Sequence, residues 1–136
     1  MPPPARPVLL YDDGCRFCRA CACLIDRWNR AGCLRLLPWS DPQAAAWLRD
    51  LSPAQRDRSM HVRDIQGCLH SGDEAVLQLL EALPGLRGLA RAARRFPPLR
   101  VLLWRSYAVV ARYRRHLSRI SPNCASVSDR SHTPVP

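Results

Sequence analysis

The stretch Val8-Leu9-Leu10-Tyr11-Asp12-Asp13-Gly14-Cys15-Arg16-Phe17-Cys18 decides how the rest of the chain is read. Val8 to Tyr11 is a short apolar run, and Asp12-Asp13-Gly14 ends it with turn residues. The run predicts a buried strand followed by a turn. Beyond Gly14 the hydrophobic period changes. Phe17, Ala20, Cys21, Leu24, Ile25 and Trp28 recur at three- and four-residue spacing, the apolar face of a helix. Arg16, Arg19, Asp26, Arg27 and Arg30 fall on its other sides, and Ala31-Gly32 closes it. Cys15 and Cys18 therefore stand where the strand gives way to the helix.

Residues 34–37 are a second strand candidate. Asp41 caps a helix with Pro42 at its first position. Ser52-Pro53-Ala54-Gln55 starts another, with Gln55 placed for a capping box. Residues 60–63 and 68–70 flank Ile65-Gln66-Gly67 and predict a hairpin. Ser71-Gly72-Asp73-Glu74 reads as a further capping box, with Ala75, Val76, Leu79, Leu80 and Leu83 as the apolar stripe behind it. A short basic helix over 86–95 stops before Pro97-Pro98. In a last helix, Leu99, Leu102, Leu103, Tyr107, Val110 and Leu117 line one side. Strands alternating with helices, plus a hairpin, give an α/β fold: a mixed sheet flanked by helices, with an additional helical C-terminal segment. Residues 1–6 read as a flexible lead, 7–119 as one domain, and 120–136 as a disordered, polar, Pro-containing tail.

The composition narrows the function. The chain has 136 residues, 21 of them basic against 11 acidic, for a net charge of +10. Every basic residue is Arg, which excludes a Lys Schiff base and a Walker A loop. Neither a signal peptide nor a membrane span is found: the first apolar run is too short for either, and the stretch 101–111 is interrupted by Arg105. A soluble, cytoplasmic protein is expected, in which a close cysteine pair is catalytic or metal-binding rather than structural. The 7 cysteines are an odd number and do not form a fully paired disulfide framework.

Side chains three apart on a helix lie about 5–6 Å from each other, and a small adjustment brings two sulfurs into bonding geometry. The helix N-terminus offers unpaired N–H groups and partial positive charge, and both favour a thiolate. Cys15, nearer the helix end, is expected to attack a substrate disulfide, and Cys18 to resolve the mixed disulfide. Asp12 or Asp13 would carry the proton for Cys18. Cys21 lies on the apolar stripe and reads as core, while Cys23 lies off it with no assigned role. The run C-x-x-C-x-x-C-x-C lacks the spacing and the following Pro of a bacterial iron–sulfur motif. Zinc would need a second ligand pair, for which Cys33, Cys68, His61 and His70 have no recognised spacing. No metal or other cofactor is expected. Cys124 reads as incidental.

On residues 8–18 the sequence resembles the DCC family of thiol-disulfide oxidoreductase-like proteins, named for an Asp-Cys-Cys signature. Asp12, Cys15 and Cys18 match the name-giving positions. The resemblance extends over residues 7–119, through the hairpin and Gly72-Asp73-Glu74-Ala75 to the aromatic-and-Arg segment 107–115. It implies a thioredoxin-like fold and catalytic roles for Asp12, Cys15 and Cys18. The substrate would be a protein or a small-molecule disulfide or thiol. The chain departs from the pattern in three respects: the Gly falls after the second Asp, Cys21 and Cys23 are extra, and Ser59-Met60-His61 holds no Pro. Thioredoxins place a cis-Pro in that last stretch, in the loop that docks an extended substrate.

Two other classes fit parts of the sequence. One is a non-catalytic, thiol-rich module that binds zinc or senses oxidation. The other is a basic interaction protein that uses Arg87, Arg91, Arg94, Arg95, Arg100, Arg105, Arg112, Arg114, Arg115 and Arg119 against an anionic surface. No nucleic-acid motif accompanies that charge, so a solvated helix face is the simpler reading and no nucleic-acid partner is expected. His61 and His70 read as packed strand residues, and Trp28 and Trp104 as core or helix-interface aromatics. Trp39, after the second strand, is placed near the cysteine pair.

Overall fold

The computed structural model describes residues 4–29 and 32–121. Residues 1–3 of the expected lead, Ala31 of the helix closure, and the expected tail from residue 122 onward with Cys124 lie outside them. Among the described residues, four strands form one mixed sheet: β1 (Val8–Tyr11), β2 (Arg35–Pro38), β3 (His61–Arg63) and β4 (Leu69–Ser71). Their order is β2-β1-β3-β4; β1 runs parallel to β2 and antiparallel to β3, and β3 is antiparallel to β4. The helices among the described residues are α1 (Arg16–Trp28), α2 (Pro42–Trp47), α3 (Pro53–Arg58), α4 (Asp73–Ala82), α5 (Arg87–Arg95) and α6 (Pro97–Ile120). This is the α/β, thioredoxin-like arrangement with an added C-terminal helix.

β1 is the central strand, which is why all four of its residues are apolar and buried rather than alternating. Its side chains still divide between two faces. Leu9 and Tyr11 pack with Leu36, Val62, Ala22 of α1 and Ala75 of α4. Val8 and Leu10 pack with Leu37, Ala44 of α2 and Leu48. The sheet is thus covered on both sides, and the C-terminal end of β1 opens directly onto the α1 N-terminus.

The expected start signals of α2 and α3 are present. Asp41 accepts the Gln43 N–H, and Ser52 and Gln55 form a reciprocal capping box. The expected box at Ser71 is not formed. Ser71 belongs to β4, where its hydroxyl bonds His61 Nδ1 at 2.7 Å, and the cap of α4 is Gly72, which has no side chain to offer. The hairpin turns on Gly67, and Asp64 Oδ1 accepts the Gln66 and Cys68 N–H groups at 2.9 Å each.

α6 lies as an outer layer across α1, α4 and α5. Two residues of its expected inward stripe are corrected: Leu102 is 60% exposed and Val110 42%. The face turned inward carries Leu99, Leu103, Tyr107, Ala111, Arg114, Leu117 and Ser118. Trp28, read as core, is 55% exposed, whereas Trp104 stacks on Tyr107 at 5.5 Å within the helical layer. Two of the arginines fasten α5 and α6 to α4. Arg94 pairs with Glu74 at 2.8 Å and with Glu81, and Arg100 pairs with Asp73 at 3.0 Å and Glu74 at 3.4 Å. Arg91, Arg95, Arg105, Arg112, Arg115 and Arg119 remain on the exposed side. No helix among the described residues is long and apolar enough to cross a membrane.

Gly72 joins the hairpin to α4 at φ +68° and ψ −131°, and a Cβ there would sit 3.2 Å from the Trp104 ring. Gly72→Ala is expected to destabilise the fold by about 1–3 kcal/mol, read as a lowered denaturant midpoint.

Candidate active site

The site grows out of the β1–α1 junction. Asp12 Oδ1 accepts the Gly14 N–H at 2.9 Å, which folds the turn back on itself. Cys15 follows in an extended conformation as the N-cap of α1, and its Sγ accepts the Cys18 N–H at 3.3 Å. A cysteine here takes the place of the usual Ser, Thr or Asp cap. Its sulfur therefore receives a backbone donor and the positive end of the helix dipole together. Cys18 sits one turn further in. A carboxylate oxygen of Asp12 and the Sγ atoms of Cys15 and Cys18 all lie within 4.8 Å of one another.

The two thiols differ in their tendency to ionise. Burial works to raise the Cys15 thiol, but hydrogen bonds from the Cys18 thiol, the Ser118 hydroxyl and the Cys18 backbone outweigh it. The Cys15 thiol ends below its ordinary value. Cys18 is pushed far up, first by burial, then by its hydrogen bond to Cys15 and the charge there. Burial also raises the Cys21 thiol.

Of the two candidate carboxylates, Asp12 is the one brought to the sulfurs. Asp13 Oδ1 instead accepts the Ser40 N–H at 3.3 Å. The residues weighed as further zinc ligands lie elsewhere. His61, 1% exposed, has its ring nitrogens bonded to Ser71 Oγ and to the Arg56 carbonyl at 3.2 Å. His70 pairs with Asp64 at 2.7 Å in the hairpin. Asp12, Cys15 and Cys18 are the only group of three or more His, Cys, Asp or Glu donors that converges among the described residues. Cys33 and Cys68 do not join it.

Sequence reasoning did not identify the partner that α6 supplies. Ser118 Oγ lies 3.5 Å from Cys15 Sγ and accepts the Phe17 N–H at 3.3 Å. It also donates to the Arg114 carbonyl at 2.9 Å. Its single proton can bond that carbonyl or turn to a Cys15 thiolate. Tyr107, earlier on the same face of α6, accepts the Met60 N–H on its hydroxyl at 2.6 Å. Only the helical period hinted at Ser118, which stands three turns beyond Tyr107 on the same face; a serine there carries no signal by itself.

Beside the pair lies a cavity of ≈ 230 Å³. Phe17, Ile25, Trp39, Met60, Leu79 and Val110 supply apolar wall, and Cys18, Cys21, Asp12 and Arg114 face it as well. Trp39 lines the same cavity as Cys18 and Cys21. Cys21 is cavity lining rather than sealed core.

A mixed, thioredoxin-like sheet with two cysteines and a carboxylate at the first strand–helix junction defines a thiol-based redox class of protein. The chain matches the DCC1-like thiol-disulfide oxidoreductases over residues 9–120 and belongs to that family. No curated protein and no solved structure matches it.

The two thiols are expected to separate under alkylation. A thiol held below the ordinary value forms thiolate, and so reacts, at lower pH than a free cysteine, while one held above it stays protonated. Iodoacetamide near neutral pH is expected to label Cys15 first, with its rate rising through a midpoint below the ordinary thiol range. Cys18 is expected to react only on unfolding. Peptide mass mapping against pH reads both.

Proposed function

We propose that the chain is a dithiol–disulfide exchange enzyme in which Cys15 attacks, Cys18 resolves and Asp12 takes the Cys18 proton. The observation that carries this reading is the capping role of Cys15: its sulfur accepts the Cys18 N–H at 3.3 Å, so ionisation strengthens a bond the helix already makes. A thiolate is the nucleophile of the exchange. The Cys15 thiolate attacks one sulfur of a substrate disulfide. The substrate S–S bond breaks, a mixed disulfide forms, and the first substrate thiolate leaves.

Cys18 must then lose its proton although burial holds it protonated. The Asp12 carboxylate, within 4.8 Å of both sulfurs, is the acceptor. The Cys18 thiolate attacks Cys15 Sγ, the mixed disulfide breaks, and the second substrate thiolate departs and is protonated. Two electrons pass from the cysteine pair to the substrate, and the reverse sequence oxidises a substrate dithiol. The chain's membership of a thiol-disulfide oxidoreductase family supports the reaction class.

Three variants test the roles by turnover of a model disulfide. Cys15→Ser is expected to abolish exchange. Cys18→Ser is expected to stop after one step and accumulate a mixed disulfide on Cys15, visible by mass. Asp12→Asn is expected to keep the first step and slow release of the second thiol by roughly 10²-fold or more. Wild-type turnover by Cys18→Ser would contradict the assignment.

A further inference from the structure

We propose that the substrate is a low-molecular-weight disulfide with an apolar body, housed in the cavity beside Cys18, and not an extended polypeptide. This rests on the exchange reaction proposed above and adds the class of molecule that undergoes it.

An extended polypeptide docks by pairing its main chain with free backbone groups at a strand edge or loop. Met60, just before β3, lines the same cavity as Cys18 and is the backbone segment considered for such docking. Its N–H is already donated to Tyr107 Oη at 2.6 Å, and its carbonyl accepts the Gly72 N–H at 3.3 Å. Both groups of Met60 are therefore satisfied inside the chain. Tyr107 comes from α6, which also lays Val110, Ala111 and Arg114 against the same space. The added C-terminal helix thus takes up the space beside Met60 and ties up its N–H.

A pocket takes the place of that edge. Its ≈ 230 Å³ are walled mainly by Phe17, Ile25, Trp39, Met60, Leu79 and Val110, with Cys18 among the lining residues. Cys15 Sγ is within 4.8 Å of Cys18 Sγ, so an apolar arm seated there brings an attached sulfur to the pair. An apolar lining gains from burying alkyl or aromatic groups and gains nothing from a hydroxylated chain. The overall exchange balances as one substrate disulfide and the Cys15–Cys18 dithiol giving two small thiols and the Cys15–Cys18 disulfide. Both thiol protons of the pair end on the products.

The test compares dipropyl disulfide, hydroxyethyl disulfide and insulin, with dithiothreitol regenerating the cysteine pair. Each rate is divided by that of dithiothreitol alone. The wild-type kcat/KM for dipropyl disulfide is expected to exceed that for hydroxyethyl disulfide by about tenfold or more, the usual scale of discrimination by a small apolar contact. Insulin reduction is expected to stay at the rate of free dithiothreitol. Val110→Ser, which replaces part of the apolar wall, is expected to lower kcat/KM for dipropyl disulfide more than for hydroxyethyl disulfide and so narrow the preference. Equal normalised rates for the two small disulfides, or accelerated insulin reduction, would overturn the substrate class while leaving the exchange reaction standing. No exchange with any of the three would overturn the exchange reaction and the substrate class with it.

Discussion

The site depends on one hydrogen bond, from the Cys18 N–H to the Cys15 sulfur. It makes a cysteine the cap of α1, so that the same contact starts the helix and prepares the thiol. Because β1 is buried in the middle of the sheet, the end of that helix is fixed relative to the core. The inner thiol is then held where burial keeps it protonated, one turn from a sulfur whose hydrogen bonds hold its pKa below the ordinary value. The difference between the two cysteines thus follows from their positions along one helix turn. Asp12 completes the group because its own oxygen is tied to the turn by the Gly14 N–H.

α6 changes what a four-stranded core of this kind presents to solvent. It brings Ser118 to Cys15, Tyr107 to Met60 and Arg114 to the cavity wall, three contacts from one face of one helix. Ion pairs of Arg100 with the acidic first turn of α4 help to hold α6 in place, and Arg94 ties α5 to the same turn. Those arginines belong to the fold, whereas Arg105, Arg112 and Arg119 project from its outer side.

The parts legible in the sequence were those decided by neighbours along the chain. The apolar run at Val8, the turn residues after Tyr11 and the shift to helical period at Phe17 are local signals, and they place Asp12, Cys15 and Cys18 together. The caps at Asp41 and Ser52 are local for the same reason. What could not be read depends on distant partners. Ser118 meets Cys15 across 103 positions, and nothing beside Ser118 marks it. Ser71 has the spacing of a cap, but His61 is its cross-strand neighbour and claims its hydroxyl. The stripe on α6 was drawn too wide: its apolar residues spread round the helix, while its partners cover only one side, so Leu102 and Val110 are left partly in water.

A redox titration of the purified protein in glutathione buffers, with mass mapping of the cysteines at each potential, bears most directly on the central claim. The account requires Cys15 and Cys18 to bond each other before either bonds another cysteine, and to revert fully on reduction. A bond that joins either of them to Cys21 or Cys33, or a titration that leaves both as thiols throughout, would contradict it.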